Sequence, residues 1–250
     1  MKKNKTILIT GASSGIGQAL ALACARDGWR LLLMARNAER LEKVAQECRA
    51  YGVMVETSTI RVEAQDEMQA QVLAWDEAQA IDVVVANAGI SGGSGHGEEK
   101  LREIMRINLD GVFNTVNPLI PRMQARKAGQ IVLISSMAGF RGLPNAPAYS
   151  VSKVAVRAYA DALRPLLKGD GIDVSVVFPG FVKTPLTDIN SFPMPFLMSA
   201  EKAADIILCG VEQKKASIAF PWQMYMLCWL LSVLPRKLSD FILSYAPKKS

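Results

Sequence analysis

The 250-residue sequence predicts an α/β fold with a doubly wound, mostly parallel sheet of seven strands. Short apolar runs alternate with segments in which apolar residues recur at helical spacing, as in repeated β–α units. The short runs are almost continuous in Val, Ile and Leu, which is typical of parallel strands covered by helices on both faces. No internal repeat or low-complexity linker divides the chain. We therefore expect one domain over residues 1–250 with strand order 3-2-1-4-5-6-7.

The first half of the chain predicts three strands, each followed by a helix. In order, these segments are TILIT, Ile16 to Asp27, RLLLMA, Ala38 to Tyr51, MVETSTIRV, and Asp66 to Ala80. The second half predicts DVVVAN, a long helix within Glu98 to Arg126, QIVLISS, a helix that starts near Pro147, DVSVVFPG, a helix near Ala200 to Gln213, and ASIAF. In such a sheet, ligands bind at the carboxyl ends of the strands where the strand order reverses, so functional motifs should follow strands.

Composition and charge argue against several classes of function. The four cysteines have no C-x-x-C spacing, which indicates neither a zinc site nor a disulfide framework and favours a reducing, cytoplasmic compartment. The single histidine, His96, lies in a glycine-rich segment, so we expect no histidine-based triad and no metal. The net charge is +6, but the basic residues are scattered and nucleic-acid binding is not predicted. The N-terminal MKKNKTILIT has only a short apolar run that ends at a glycine turn, which predicts a first strand rather than a signal peptide.

A glycine-rich turn, TGASSGIG, follows the first predicted strand and leads into the first helix. Its glycines at positions 11, 15 and 17 allow a tight turn, close approach of a pyrophosphate, and close packing of helix on strand. The spacing G-x-x-x-G-x-G differs from the general dinucleotide fingerprint, and in isolation such a turn is also compatible with a purely structural role. Its place at the front of a β–α–β unit favours a nucleotide site.

The residues after the second strand indicate which nicotinamide dinucleotide would bind. Sites for NAD(H) usually place a carboxylate there to bind the ribose 2′-hydroxyl. Here Ala35 and Arg36 occupy that place, and a guanidinium is the better partner for a 2′-phosphate. On this residue alone, a solvated arginine at the start of a helix is an equal alternative. We predict a preference for NADP(H) over NAD(H).

Tyr149 and Lys153 lie one turn apart on the helix that starts near Pro147. Taken alone, such a pair is typical of a partly buried tyrosine beside a solvated lysine. A phenol with a pKa of about 10 is a poor proton donor or base near neutrality, and an adjacent ammonium lowers that pKa by favouring the phenolate. The pair is therefore a candidate acid–base site if other motifs accompany it.

In order along the chain, these motifs resemble those of the short-chain dehydrogenase/reductase family, whose single-domain members have a Rossmann fold. The resemblance runs from Thr6 to about Thr184. Its markers are TGASSGIG, Asn87-Ala88-Gly89, Asn108 in RINLDGVF, Ser136 in IVLISSMAG, Tyr149-x-x-x-Lys153, and FPGFVKT. One departure is Arg61, which stands where the family often has an aspartate near the adenine and leaves Val62 to line that pocket.

The resemblance implies a role for each matched residue. Tyr149 would be the general acid in reduction, Ser136 would orient the substrate, and Lys153 would bind the nicotinamide ribose. Asn108 would position a water that links Lys153 to solvent. Ser136 is preferred to its neighbour Ser135, which would cap the strand end, because Ser136 precedes Tyr149 by the family's usual spacing. The implied cofactor contacts are Gly11, Ser13, Ser14, Gly15, Ile16, Gly17, Arg36, Val62, Asn87, Ala88, Gly89, Tyr149, Lys153, Pro179, Gly180, Val182 and Thr184, the Val182–Thr184 pair holding the nicotinamide carboxamide.

The activity implied by the resemblance is NADP(H)-dependent interconversion of a ketone or aldehyde and the corresponding alcohol. The cofactor supplies the redox chemistry, so the protein needs no metal. A homodimer or homotetramer is also implied. The alternative function is a membrane-surface scaffold or redox sensor that binds NADP(H) with little turnover, which the matched Asn108, Ser136, Tyr149 and Lys153 disfavour.

Two apolar segments after the last motif bear on the substrate. Residues 185–215 are expected to form a substrate lid, with a greasy run from Phe192 to Met198 that favours a lipid-like carbonyl or alcohol. Packing of this segment against the body of the protein is an equal alternative.

Residues 218–250 form an apolar C-terminal extension that is too short, and too interrupted by Pro221, to span a bilayer. Beyond Pro235, apolar residues recur at helical spacing between basic residues, which resembles a segment that lies on a membrane surface. We therefore expect either a substrate entrance or peripheral contact with the inner face of a membrane. Packing against the protein or a second subunit is a slightly favoured alternative. The residues concerned are Leu238, Phe241, Ile242 and Tyr245, flanked by Arg236, Lys237, Lys248 and Lys249.

Overall fold

The computed structural model describes residues 5–91, 97–144, 146–188 and 192–244, and its centre is a seven-stranded parallel sheet. The strand order is β3-β2-β1-β4-β5-β6-β7, which confirms the predicted order. Neighbouring strands are parallel in every pair. The strands are β1 (Thr6–Thr10), β2 (Arg30–Met34), β3 (Val55–Ser58), β4 (Val83–Ala86), β5 (Gly129–Ile134), β6 (Ile172–Pro179) and β7 (Ser217–Phe220).

Helices connect the strands and cover both faces of the sheet. Within the described ranges they are α1 (Gly15–Arg26), α2 (Ala38–Arg49), α3 (Gln65–Ala78), α4 (Glu98–Met105), α5 (Gly111–Val116), α6 (Leu119–Arg126), α7 (Pro147–Leu167), α8 (Ala200–Glu212), α9 (Trp222–Val233) and α10 (Arg236–Ser244). His96, Tyr245, Lys248 and Lys249 lie outside the described residues.

Strands β1, β2, β4, β5 and β6 are largely apolar because each of them contributes to two cores, whereas the edge strand β3, with sequence VETS, is half-buried. Ile7 and Ile9 of β1 pack in the layer beneath α1, α2 and α8, whereas Leu8 packs in the layer beneath α3, α5 and α7. All three side chains are at most 1% exposed. Side chains alternate between the faces of a strand, so a sheet covered on both faces requires apolar residues at consecutive positions.

Two segments differ from their predicted extents. The helix expected within Glu98–Arg126 is divided, because α4 continues through a π-turn at Arg106–Asp110 into α5 and a separate helix α6 follows Pro118. Proline lacks the N–H that a continuing helix needs, which accounts for the division there. Strand β3 ends at Ser58 instead of Val62, because its neighbour β2 ends at Met34, opposite Ser58. Residues 60–63 are thereby free of the sheet.

The C-terminal extension forms two helices, α9 and α10, after β7. Met224, Tyr225 and Cys228 on one side of α9 pack against the core. An ion pair joins helix α10 to the body of the protein, with Asp240 Oδ1 and Arg141 Nη2 2.6 Å apart. In the part of the chain that the structure describes, no helix combines the length and apolar character needed to cross a membrane.

Candidate active site

The glycine turn after β1 forms an open cradle at the carboxyl edge of the sheet. Gly11 and Gly15 have φ of +69° and +56°, in the left-handed region that favours glycine. A Cβ on Gly17 would lie 2.3 Å from the Gly11 carbonyl oxygen, so a side chain there would push α1 away from the turn. Ser14 precedes α1 without capping it through its side chain, which leaves the helix N–H groups facing the cradle.

Asn87, at the end of β4, fixes this turn from the neighbouring strand. Its Nδ2 donates to the Thr10 carbonyl at 2.9 Å, and the Thr10 hydroxyl accepts from the backbone N–H groups of Asn87 and Ala88 at 3.1 and 3.2 Å. Strands β1 and β4 are neighbours although they are not consecutive, so this is the point at which the strand order reverses.

A groove of about 550 Å³ runs across this edge from the glycine turn to Tyr149. Of the predicted cofactor contacts, all except Gly17 line it; Gly17 supports the turn from behind. Ser136, Tyr149 and Lys153 line the other end, together with the segment from Pro179 to Thr184. A Cβ on Gly15 would meet Thr184 at 2.8 Å, so the glycine turn lies in contact with the segment that follows β6.

The structure adds two charged residues that sequence reasoning missed. Arg40 lines the groove one helical turn after Arg36, and Asn37 caps α2 by accepting from the Arg40 N–H at 2.8 Å. Glu63 lines the same end, next to Val62. The sequence signal for Arg40 was its i,i+4 spacing from Arg36, and the signal for Glu63 was its position directly after Val62. Glu63 reaches the groove only because β3 ends at Ser58.

Arg61 and Glu63 form an ion pair near the end of the groove that Arg36 lines. The Arg61 Nε donates to Glu63 Oε1 at 2.8 Å, and the Arg61 side chain is largely exposed. The second oxygen, Glu63 Oε2, is buried and has no hydrogen-bond partner within the described structure. A buried carboxylate oxygen without a partner favours an external donor.

Ser136 and Ser135 take different roles after β5. The Ser136 hydroxyl accepts from the Ala138 N–H at 3.2 Å, which caps the short 3₁₀ turn Met137–Gly139. Ser135 is buried, and its hydroxyl donates to the Lys153 carbonyl at 2.8 Å. Ser135 therefore joins β5 to α7 instead of only capping the strand end as expected.

Tyr149 and Lys153 are brought to the groove by the first turns of α7. Pro147 occupies the start of this helix, where a missing N–H costs nothing. Lys153 is 5% exposed, its Nζ lies 5.7 Å from the centroid of the Tyr149 ring, and it donates to the Ile134 carbonyl at 2.9 Å. Burial lowers the pKa of Lys153 to about 8.

The pKa of Tyr149 differs from the sequence expectation. Burial of the phenol raises its pKa above the usual value, and a hydrogen bond from Ser136 acts in the opposite direction. The expected lowering by Lys153 is absent among these causes. Lys153, with a pKa of about 8, is already neutral when the phenol ionises, so Ser136 is the group that favours the phenolate.

Asn108 lies behind the groove rather than in its lining. It is fully buried in the single turn of π-helix between α4 and α5, and π-helical turns of this kind are frequent at functional sites. Its Oδ1 accepts from the Ile90 N–H at 2.8 Å, and its Nδ2 donates to the Ile90 carbonyl at 2.9 Å and to Ser152 at 3.1 Å. The side chain therefore fixes the β4 loop against α7, and both of its polar atoms are already bonded to protein.

Two further segments border the catalytic end. The backbone of Val182 pairs with Met198, which closes the base of the expected lid. Helix α9 lies beside it, because a Cβ on Gly180 would be 2.9 Å from Met224 Sδ, and the Tyr225 ring lies 5.4 Å from that of Phe140. The lid and the C-terminal helices thus start at the same edge of the site.

The fold and this groove define a doubly wound α/β protein with a candidate dinucleotide site, and comparison with known proteins identifies it as an oxidoreductase. The model of the short chain dehydrogenase family matches residues 5–191, and the chain belongs to this family. An uncharacterized oxidoreductase of Myxococcus xanthus is 40% identical over 240 residues, which cover 94% of this chain and 95% of that protein.

Solved structures of the same fold hold either nicotinamide cofactor. A variant of the actinorhodin polyketide ketoreductase with NADPH is 28% identical, with a TM-score of 0.79 and coverage of 88% of this chain and 97% of that one. A short chain dehydrogenase from Mycobacterium paratuberculosis bound to NAD is 26% identical, with a TM-score of 0.77 and coverage of 87% and 95%.

Proposed function

We propose that this protein is an NADP(H)-dependent oxidoreductase that interconverts a lipophilic ketone or aldehyde and its alcohol, with Tyr149 as general acid and base. One observation carries the proposal: Ser136, Tyr149 and Lys153 line the end of the groove that starts at the glycine turn. This juxtaposition supplies a proton donor, a hydroxyl that can orient a carbonyl, and a cation beside one dinucleotide site.

The residues of the groove fit NADP(H). The glycine cradle and the N-terminus of α1 suit a pyrophosphate, and a side chain at Gly17 would obstruct the packing that forms this cradle. Arg36 and Arg40 together offer two guanidinium groups where a 2′-phosphate would lie. The free Glu63 oxygen suits the amino group of adenine.

The protein's own residues would hold and move the proton of the reaction. NADPH, when bound, supplies the hydride. Tyr149 is protonated at neutral pH and would donate to a carbonyl oxygen in the reductive direction, and the hydrogen bond from Ser136, which acts against the raised pKa, would favour that donation. The Ser136 hydroxyl, close enough to lower the pKa of the phenol, would hold the same oxygen.

Lys153 and Asn108 would act from behind the reacting group. Lys153, with a pKa of about 8, is charged in most molecules at neutral pH and would hold the nicotinamide ribose and replenish the tyrosine proton. Asn108 would keep the β4 loop and α7 in register through Ile90 and Ser152. By fixing these two segments, Asn108 would also help to position the water that links Lys153 to solvent.

A lipophilic substrate is supported by the segments around the catalytic end. Of the expected lid, residues 192–199 precede the core helix α8 and expose Phe196 and Leu197, and the Phe181 and Phe192 rings pack 5.9 Å apart beside them. These side chains would cover an apolar substrate more readily than a charged one. A polyketide ketoreductase among the similar structures supports a carbonyl substrate.

The proposal includes a cytoplasmic homodimer or homotetramer that works as a catalyst. The rival function, a scaffold or redox sensor that binds NADP(H) with little turnover, gives no reason for a partly buried phenol beside a buried lysine. Burial of an ammonium destabilises the folded protein, and a scaffold without turnover would gain nothing from that burial.

Substitution of Tyr149 by Phe tests the proposed function. The wild-type protein should oxidise NADPH with members of a panel of 2-alkanones and alkanals of increasing chain length. Tyr149→Phe should reduce turnover by about 10² to 10⁴ while the NADPH affinity, measured by fluorescence titration, stays near that of the wild type.

Tyr159→Phe is the matched control, because Tyr159 lies on the same helix outside the groove and bonds to Asn117. It should retain wild-type turnover. Near-normal activity of Tyr149→Phe would refute the assignment of the proton donor. Cofactor binding without turnover of any panel member would favour the scaffold.

A further inference from the structure

Helix α9 exposes an apolar face that no described part of the protein covers. None of its 12 residues is buried, although its side chains are mostly apolar. Trp222 is 69% exposed, and one turn apart along the same helix several large apolar residues are also exposed. They are Met226, Leu227, Trp229, Leu230 and Val233. A helix that is apolar on nearly all sides is normally buried, so this face requires a partner.

Helix α10 extends this surface and adds positive charge at its edge. Leu238 and Ile242 are exposed one turn apart, and Arg236 and Lys237 are exposed at the start of the helix. From Pro221 to Ser244 the sequence has one acidic residue, Asp240, which is paired with Arg141 of the body. We call the exposed apolar residues of α9 and α10, with Arg236 and Lys237, the C-terminal face.

The C-terminal face lies beside the mouth of the site. Strands β6 and β7 end side by side, with Pro179 opposite Phe220, and the lid starts from the first while α9 starts from the second. Helix α9 also rests on the 3₁₀ turn that follows Ser136, through Tyr225 and Phe140. Phe196, which is exposed, belongs to the segment that follows β6 at this edge.

We infer that the C-terminal face is a docking surface for an anionic lipid bilayer, on which α9 and α10 lie without crossing it. Tryptophan side chains favour the boundary between headgroups and acyl chains, and basic residues at that depth attract anionic headgroups. A helix of 12 residues is short for a span, which needs about 20 residues. The bilayer would then lie against the entrance through which a lipophilic substrate enters.

Charge favours a bilayer over a second copy of the chain. In a symmetric contact between two C-terminal faces, Arg236 and Lys237 would find no unpaired acidic residue on the other face, because Asp240 is already paired with Arg141. An anionic headgroup layer offers the complementary charge instead. The net charge of +6 on the whole chain acts in the same direction.

Vesicle flotation of the purified full chain tests this surface. We expect the protein to float with phosphatidylcholine vesicles that contain phosphatidylglycerol, and less with pure phosphatidylcholine. The double variant Trp222→Ser, Leu230→Ser should weaken binding by about tenfold or more, since each side chain loses an apolar contact. Arg236→Gln and Lys237→Gln should each weaken vesicle binding about fivefold. This effect should be smaller at high salt, because salt screens the charges.

The matched control is Met54→Ser, Leu166→Ser, because these residues are 64% and 71% exposed outside the C-terminal face. The control should float like the wild type. NADPH affinity and thermal unfolding, measured for each variant, establish that it is folded, and the two charge variants remove no packed side chain. Flotation is independent of turnover, so it separates this inference from the proposed reaction.

Three results would overturn the inference. One is failure of the wild type to float with anionic vesicles. Another is equal flotation of the Trp222→Ser, Leu230→Ser variant and its control. The third is dissociation of an oligomer by that variant, seen by analytical ultracentrifugation, when the wild type does not bind vesicles; the face would then be a contact between copies.

Discussion

In the cofactor-free protein, replacing Lys153 by Met should remove the rise in unfolding free energy that the wild type gains from this residue between neutral and alkaline pH. The same replacement should impair function. Lys153 is 5% exposed, and burial lowers its pKa from 10.5 to about 8. The unfolded chain binds this proton more tightly than the folded protein. Folding is therefore penalised below pH 8, and the penalty is relieved as the pH rises from about 8 towards 10.5.

The size of the effect follows from the pKa shift. A shift of this size corresponds to about 3 kcal/mol of unfolding free energy between the two pH limits. Methionine has a similar length without the charge, so Lys153→Met removes the pH-dependent part. The variant also loses the hydrogen bond to the Ile134 carbonyl, at a cost of about 1 to 3 kcal/mol that does not depend on pH.

Urea unfolding followed by circular dichroism at pH 7 and pH 10 measures this difference. From pH 7 to pH 10, the free energy of unfolding of the wild type should rise by about 2 to 3 kcal/mol more than that of Lys153→Met. Lys202→Met, at an exposed position on α8, should behave like the wild type. An equal rise in wild type and Lys153→Met would refute the argument from burial.

The same variant tests the assigned role in the site. Because Lys153 would hold the ribose and the tyrosine proton, Lys153→Met should lose both NADPH affinity and turnover. If Lys153→Met lacks the stability penalty that the wild type shows at neutral pH and also loses activity, the buried ammonium is retained for function. Unchanged NADPH affinity would exclude the ribose role.

Two further predictions concern the adenine end of the groove. Arg36→Ala should weaken NADPH binding about ten- to a hundredfold and leave NADH binding nearly unchanged in fluorescence titrations, because it removes a charge-assisted contact to the 2′-phosphate; equal losses for both cofactors would contradict this role. Glu63→Gln should weaken NADPH binding about three- to tenfold and reduce discrimination against the hypoxanthine analogue of NADPH, which lacks the 6-amino group. Arg61→Ala, which breaks the ion pair but keeps the carboxylate, is its control, and unchanged discrimination in Glu63→Gln would count against an adenine contact.

The sequence by itself determined the architecture of this protein. Continuous apolar strands at consecutive positions predicted a parallel sheet covered on both faces, and the sheet order confirms it. The glycine turn and the start of α7 at Pro147 were also predictable, because they depend on local backbone preferences of glycine and proline. The ordered motifs from Thr6 to Thr184 indicated the family to which the chain belongs.

Other features were decided only by contacts between residues distant in the sequence. Glu63 reaches the groove near Arg36 and Arg40 because β3 ends where its neighbour β2 ends, and no local pattern specifies that end. The break before α6 was signalled by Pro118, but the π-turn around Asn108 fits its side chain between Ile90 and Ser152, which the spacing of apolar residues does not encode.

The pKa values of the candidate catalytic residues depended most on tertiary structure. From sequence, Tyr149 and Lys153 were simply one turn apart, and the ammonium was expected to act on the phenol. In the folded protein, burial lowers the pKa of Lys153, while Ser136 acts on Tyr149. Spacing along a helix fixes which side chains are neighbours, but the surrounding strands and loops decide how much solvent each charge loses and which atom it faces.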